Sequence, residues 1–426
     1  MTQTRAVGVT RALEAGSPGP SCRFCGSLLR RTVIDLGMSP PCESFLLPDQ
    51  LDEMEAFYPL HVRVCEDCYL VQLPEYVPPS EIFTEYAYFS SYSESWVRHA
   101  KDYAAMAIER FGLSERSFVV DIGSNDGYLL QHFVSQGIPA LGVEPAANVA
   151  RAAEERGVPT LNEFFDPDVA TAVAREHGRA DLIAANNVLA QVPNLNEFVE
   201  SFRILLQPDG VATFEFPHLM RLIDENQFDT IYHEHFSYFS FLTACEIFDG
   251  HGLRVFDVET LRSHGGSLRL YVCHADAEHE PTGRVAELET LELEAGYRTL
   301  EPYRDFAANV EETKRALLEF LIGAKRAGNS VVGYGAPGKG NTLLNYCGIR
   351  SDLLAYTVDR NSYKQGRFLP GTHIPILEPE RLAETRPDFI LILPWNLRRE
   401  ISQQLSYTAG WGARFVVAIP ELEVFQ

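Results

Sequence analysis

The chain has 426 residues, with 36 lysines and arginines against 59 aspartates and glutamates, a formal charge of -23. That length exceeds what one core usually serves, so two or three domains are expected. The negative charge opposes long-range attraction to nucleic acid or an anionic membrane and points to a small-molecule partner. No run of about 18 apolar residues and no apolar stretch near the start occurs, so neither a membrane span nor a secretory signal is expected, and the chain reads as cytoplasmic.

Residues 1–20, rich in Ala, Gly, Ser, Thr and Pro, read as a flexible tail. Cys22-x-x-Cys25 and Cys65-x-x-Cys68 follow, each pair a knuckle, the two together a tetrahedral sulfur site for zinc. Two disulfides are the alternative, but a large chain without a signal peptide belongs where thiolates persist. Four thiolates leave no open position, so the metal is expected to be structural. The segment 49–55 between the knuckles is acidic, which fits a lid or scaffold better than a nucleic-acid reader. Cys42, Cys245, Cys273 and Cys347 lack partner spacing and read as small buried hydrophobes.

Residues 74–80 form a proline-marked connection, and Tyr86, Tyr88, Phe89 and Tyr92 follow. They read either as a ligand-facing surface or as an aromatic packing seam. An amphipathic helix is predicted over about 96–110. Strands are then predicted at 118–122, 139–144, 181–186 and 210–216, alternating with helical patterns, which argues for a doubly wound, mainly parallel sheet. Two more, near 253–258 and 267–273, would close it.

The first of these strands runs into Asp121-Ile122-Gly123-Ser124-Asn125-Asp126-Gly127. Gly123 and Gly127 let the backbone turn sharply and approach a ligand closely, and Glu144, about 20 residues on, can accept both ribose hydroxyls. Gly-x-Gly-x-x-Gly is absent, and an acidic turn repels phosphate and suits a cationic ligand. The stretch resembles motif I of S-adenosylmethionine (SAM) methyltransferases, which implies a turn wrapped around the amino acid end of SAM. An ordinary strand-turn-helix with a surface acid is the bland alternative. Ligands collect at the carboxyl ends of such strands, which gathers Gly123, Glu144, residues 162–165, Asn186 and Asn187 around one crevice, with Phe164 and Phe165 able to flank an adenine.

Tyr232-His233-Glu234-His235 comes next. Histidines only two apart do not match the His-Glu-x-x-His metal helix. Two imidazoles, a carboxylate and a phenol can instead supply a base, a partner that orients it and a donor to a developing oxyanion. A charged helical region is predicted over 282–327, then a second strand-turn-helix, Val331-Val-Gly-Tyr-Gly-Ala-Pro-Gly-Lys-Gly340. Its four glycines, lack of acid and Lys339 suit a phosphate, with a purely structural tight turn as the alternative. NAD fits less well, because Asp359 is the only candidate ribose acid and Lys364 and Arg367 follow it closely. Strands predicted at 354–359, 388–393 and 415–419 complete a second Rossmann-like domain.

The order of the four-cysteine region, Asp-Ile-Gly-Ser-Asn-Asp-Gly, Tyr-His-Glu-His-Phe-Ser-Tyr, Ser-His-Gly-Gly-Ser-Leu-Arg, Gly-Tyr-Gly-Ala-Pro-Gly-Lys-Gly-Asn and Val-Asp-Arg-Asn-x-x-Lys-Gln-Gly resembles the sugar C-methyltransferases that act on nucleotide-linked 4-ketosugars in deoxysugar biosynthesis. The resemblance covers nearly all of the chain beyond the tail. It implies an α/β chain with a zinc-binding domain (21–80), a Rossmann-like SAM domain (81–280) and a C-terminal Rossmann-like domain (281–426) that helps bind the nucleotide sugar. The implied substrate is a dTDP-4-keto-6-deoxysugar methylated at C3. By the same resemblance His235 is the base, with Tyr232, Glu234 and His233 beside it and Tyr86 reaching in as an aromatic donor. SAM falls to Asp121, Gly123, Ser124, Asn125, Gly127, Glu144, Asn162, Phe164, Phe165 and Asn186. The sugar nucleotide falls to Tyr88, Gln191, His264, Gly265, Gly266, Lys339, Lys364 and Arg367. Gln191 stands where family members carry a histidine; it cannot titrate, which leaves it hydrogen bonding alone. An O- or N-methyltransferase on the same class of sugar, and a zinc-ribbon binding module with a vestigial SAM fold, are the competing readings. The sequence carries no signal of oligomeric state.

Overall fold

A computed structural model of the chain describes residues 19–83 and 89–426, so Tyr86, Tyr88 and nearly all of the expected tail lie outside the described residues. Three sheets organise the rest. Among the described residues no helix is long and apolar enough to cross a membrane.

The middle sheet has seven strands, in the spatial order Leu253–Leu261, Ser267–His274, Leu206–Pro217, Ala180–Asn186, Val119–Ile122, Ala140–Val143, Thr160–Leu161. The last five run parallel and the first two close one edge antiparallel. Val119–Ile122 is buried at every position, the mark of a strand covered on both faces. The third sheet runs Ile376–Leu377, Thr357–Val358, Val331–Tyr334, Phe389–Ile392, Arg414–Val417, Glu423–Phe425, parallel except for the last. In both sheets the chain order reverses at the strand that leads into a glycine turn, where α/β proteins open a crevice for ligands.

Arg31–Ser39, Tyr58–Val64 and Val71–Gln72 pair antiparallel in the first sheet, whose fourth strand is Ser237–Tyr238. That short strand comes directly after Tyr232-His233-Glu234-His235, so the cysteine region is stitched to the candidate chemical centre. Leu60, Val62 and Val64 alternate inward and share one hydrophobic core with Val331, Ile390 and Val416 of the third sheet. The predicted helical region 282–327 divides into Gly283–Glu294 and Phe306–Arg326. Gly296 at φ +85° and Pro302 lie in the break. Glu292, wholly buried on the first of these helices, accepts the backbone N–H groups of Phe241 and Leu242 at 2.7 and 2.9 Å and contacts His218 at 2.6 Å. This satisfies two of the orphan donors that begin the helix Phe241–Asp249.

The four knuckle cysteines converge, with all their sulfur atoms within 4.8 Å of one another. Sγ of Cys22 lies 3.5 Å from that of Cys68, and Cys25 stands at the same 3.5 Å from Cys65. Disulfide sulfurs sit about 2.0 Å apart, so neither pair is bonded, and the cysteines are free thiols. Four sulfurs about 2.3 Å from one centre would stand a little under 4 Å apart, so the cluster fits a tetrahedral zinc ion. Elemental analysis is expected to find about one zinc per chain, lost in Cys65→Ser together with a fall in thermal midpoint. A full-stability, zinc-free preparation would contradict a structural role for the metal.

Candidate active site

A cavity of about 350 Å³ opens where the three sheets meet. Gly123, Asn125, Glu144, Phe164, Phe165, Asn186 and Asn187 line it from the middle sheet, and Tyr232, Glu234, His235, His264 and Gln191 from the segments beside it. Cys42 and Glu43 reach it from the loop after the strand Arg31–Ser39, and Lys339 and Lys364 from the third sheet.

The acidic turn is held rigidly at the middle-sheet end. Gly123 adopts φ +67°, and a Cβ there would meet Val188 at 2.5 Å, so only glycine fits. Glu144 accepts the backbone N–H groups of Asn125 at 2.9 Å and Ala146 at 2.8 Å, while burial pushes its pKa up to about 7. Asp121 lies beneath the turn, almost wholly buried, its two carboxylate oxygens without hydrogen-bond partners among the described residues. Burial first, and Glu144 second, push its pKa well up. Among the described residues, no cation stands with the groups that perturb either acid. Glu144 lines the cavity as an acceptor that fits ribose hydroxyls, while Asp121 lies behind the turn and outside the lining, and this end of the cavity suits SAM.

Several of the residues expected to hold SAM do other work. Ser124 is wholly buried and packs against Gly142, away from the cavity. Gly127, at φ +76°, packs on Val158 and Ala153 and shapes the turn. Asn162 lies outside the lining and donates to the carbonyls of Glu144 and Pro145 at 2.8 and 2.9 Å, steadying the acid's backbone. Phe165 is locked edge-on against Phe198 and Phe202, with centroids 5.9 and 5.3 Å away. Phe164, 45 % exposed, is the ring left able to move against an adenine.

At the centre, the His235 Nδ1 donates to the Thr230 carbonyl at 3.0 Å. Donation requires the proton on Nδ1, which leaves the Nε2 lone pair open. Burial, reinforced by His264 and Lys339, pushes the imidazole pKa down to about 4, so the ring is neutral at ordinary pH. The Tyr232 ring lies 4.1 Å from it, centroid to centroid, and burial holds the Tyr232 pKa well up, keeping the phenol a donor. Glu234 Oε1 takes the Cys42 thiol at 3.6 Å. Cys42 is therefore a polar member of the cavity wall and not an apolar filler, and Cys245 is only half-buried. His233 does not join this group. The tight turn that returns the His235 N–H to the Tyr232 carbonyl at 2.9 Å sends His233 the other way, against Tyr58, whose carbonyl oxygen lies 3.3 Å from Nε2.

Toward the third sheet, His264 lines the cavity in left-handed backbone, φ +54°, its Nε2 3.3 Å from Asn187 Nδ2. Gly265 and Gly266 form its loop and lie outside the lining: a Cβ on the first would meet Trp395 at 2.5 Å, and on the second Arg221 at 3.0 Å. Lys339 Nζ lies 4.7 Å over the Trp395 ring and donates to Asn396 Oδ1 at 3.1 Å. Trp395 in turn donates its indole N–H to the buried Asp229 at 2.8 Å. Arg367 is not in the cavity; its guanidinium stacks 4.2 Å over Tyr363 and its Nε donates to the Tyr363 carbonyl. The glycine turn is also less empty than expected, because Asp359 Oδ2 accepts the Ala336 N–H at 2.7 Å and Lys364 Nζ lies 3.2 Å from Glu43 Oε2. Sequence reasoning missed Cys42, Glu43, Asp229 and Trp96, the last of which lines the cavity with its ring 5.2 Å from that of His264; a doublet Pro40-Pro41 that ends a strand was the only hint at the first two.

Family models match in three pieces: a "Putative zinc binding domain" over residues 22–83, a "Methyltransferase domain" over 96–258 and a "C-methyltransferase C-terminal domain" over 262–420. The C-methyltransferase NovU of Streptomyces niveus is 39% identical over 408 residues, 96% of this chain and 97% of its own length. Among solved structures, the magnesium protoporphyrin IX methyltransferase ChlM of Synechocystis PCC 6803 with bound SAM is 12% identical, with a TM-score of 0.32 over 42% of this chain and 79% of its own. The mitomycin 7-O-methyltransferase MmcR is 16% identical, with a TM-score of 0.32 over 43% of this chain and 56% of its own. Structural likeness that slight carries no argument. The similarity along the full length does, and it makes this chain a member of the zinc-containing, SAM-dependent C-methyltransferase family.

Proposed function

We propose that the chain methylates C3 of a dTDP-4-keto-6-deoxysugar, with His235 removing the C3 proton. The observation that carries this reading is the hydrogen bond from His235 Nδ1 to the Thr230 carbonyl, which presents an unprotonated Nε2 in a cavity shared with the acidic turn. A carbon beside a ketone becomes nucleophilic when its proton is taken, provided the oxygen of the enolate meets a donor. Nε2 accepts the C3 proton, the C3–H electron pair spreads onto the C4 oxygen, and the Tyr232 phenol is the donor held closest to the imidazole. Glu234, beside Cys42, and Gln191, which cannot titrate, offer hydrogen bonds to the sugar's hydroxyls. SAM, when bound, supplies an electrophilic methyl group. Gly123, Asn125 and Glu144, which line the cavity from the middle sheet, would hold it, so that the chain's work is to align two reactants and keep water out. The 4-keto-6-deoxy sugar and its dTDP group rest on the motif resemblance, and the name of the Streptomyces niveus relative, a C-methyltransferase, supports carbon as the acceptor.

Incubated with the ketosugar in D2O and no SAM, the chain is expected to place deuterium at C3. His235→Asn should slow that exchange by about 10²–10⁴-fold, and an unchanged rate would remove His235 as the base. Because burial pushes its pKa down to about 4, His235 stays neutral, and able to accept a proton, well below the ordinary histidine value of about 6.5. The acid limb of kcat/KM for exchange should therefore fall nearer pH 4, with activity lost only as the pH drops through it. A limb at the ordinary value would mean that His235 is solvated during turnover or is not the base.

A further inference from the structure

The turn at 333–340 that would cradle a phosphate already holds an anion, and the chain itself provides it. Glu43 lies against Gly338, the first residue of the helix Gly338–Cys347, and its Oε2 lies 3.2 Å from Lys364 Nζ. Lys364 donates further to the Ala336 carbonyl at 2.8 Å. This approach requires glycine at 338, where a Cβ would stand 2.7 Å from Cys42 Sγ and 3.5 Å from Glu43 Oε1. Glu43 lines the same cavity as Lys339 and His235, and its side chain is still 20 % exposed.

A helix N-terminus and a buried lysine together make a place for negative charge, and the seated carboxylate is the proof that this one takes an anion. Burial works against the Glu43 carboxylate and is only partly offset by Lys364. It works against the Lys364 ammonium too, but there Glu43 and Asp359 outweigh it and hold the pKa up. Lys364 therefore needs an anion beside it, whereas Glu43 gains little by being that anion, since a buried ion pair returns about what desolvation takes. A diphosphate carries more charge and more acceptor oxygens than a carboxylate and binds such a cradle more strongly. The loop that carries Glu43 is tethered on one side by the paired bonds between Leu46 and Phe368, at 2.9 and 3.0 Å.

We propose that Glu43 is a resident competitor in the diphosphate site, displaced when the nucleotide sugar binds, so that a ligand without a strong anion does not enter. This rests on reading the substrate as a nucleotide sugar. The test is calorimetry on the full-length chain, with inorganic pyrophosphate and dTDP as probes and SAM as the control. Glu43→Gln should bind both probes about fivefold tighter or more, roughly 1 kcal/mol, with SAM affinity unchanged. Equal or weaker binding would overturn the proposal and make Glu43 a support for Lys364. Should the variant fold poorly, hydrogen exchange on the wild type decides. On adding dTDP the amides of Ser44, Phe45 and Leu46, bonded within this loop and to Phe368, should lose protection, and retained or greater protection would overturn displacement. A chain that passes these tests yet fails to exchange C3 would keep this proposal and lose the sugar-methylation reading, since neither probe contains a ketone.

Discussion

The hydrogen bond from His235 to the Thr230 carbonyl fixes which nitrogen carries the proton, and much of the surrounding structure serves to hold that carbonyl still. Thr230 Oγ1 donates to the Gln227 carbonyl at 2.8 Å, and Gln227 Nε2 to that of Gly265 at 2.7 Å, tying the stretch that holds His235 to the loop of His264. Thr342, on the helix that begins the third sheet's glycine turn, donates to the Ile231 carbonyl at 3.0 Å. Asp229, one residue before Thr230, takes the indole N–H of Trp395. Segments from the middle and third sheets thus converge on one short stretch of backbone, and the strand Ser237–Tyr238 just beyond His235 pairs with the cysteine region. The geometry of His235 depends on all three sheets being docked, which gives the structural zinc a physical link to the cavity although it lies outside it.

The two glycine turns have similar local form and opposite electrostatics. Both leave the strand at which sheet order reverses. One is underlain by Asp121 and Glu144 with no cation to balance them, and the other gathers Lys339 and Lys364. The two ends of the cavity therefore differ in charge, the second holding two lysines of which Lys364 is paired with Glu43. A cation near an imidazole lowers its affinity for a proton, and Lys339 contributes to the depressed value of His235.

The sheets were legible in the sequence because their central strands are short apolar runs that end in glycine, and the knuckles because cysteine spacing leaves few alternatives. Direction was not legible. His233 sits between two residues that face the cavity, yet a single tight turn sends it to Tyr58. Arg367 follows Lys364 closely in sequence but stacks on Tyr363. Gly265 and Gly266 look like ligand-approach glycines but make room for Trp395 and Arg221, contacts that sequence pattern does not encode. Cys42 and Glu43 were hidden for the same reason, since their role depends on a helix nearly 300 residues further along. Ser237–Tyr238 is a two-residue strand, too short for any period to register.

In the proposed reaction a neutral imidazole makes a carbon, not a heteroatom, the nucleophile. The measurement that tests it most directly is NMR of the product formed from the ketosugar and SAM labelled with carbon-13 in the methyl group. The label is expected on a methyl bonded to carbon, with a coupling to the sugar's C3 and no proton left on C3. A label carried on oxygen or nitrogen would contradict it.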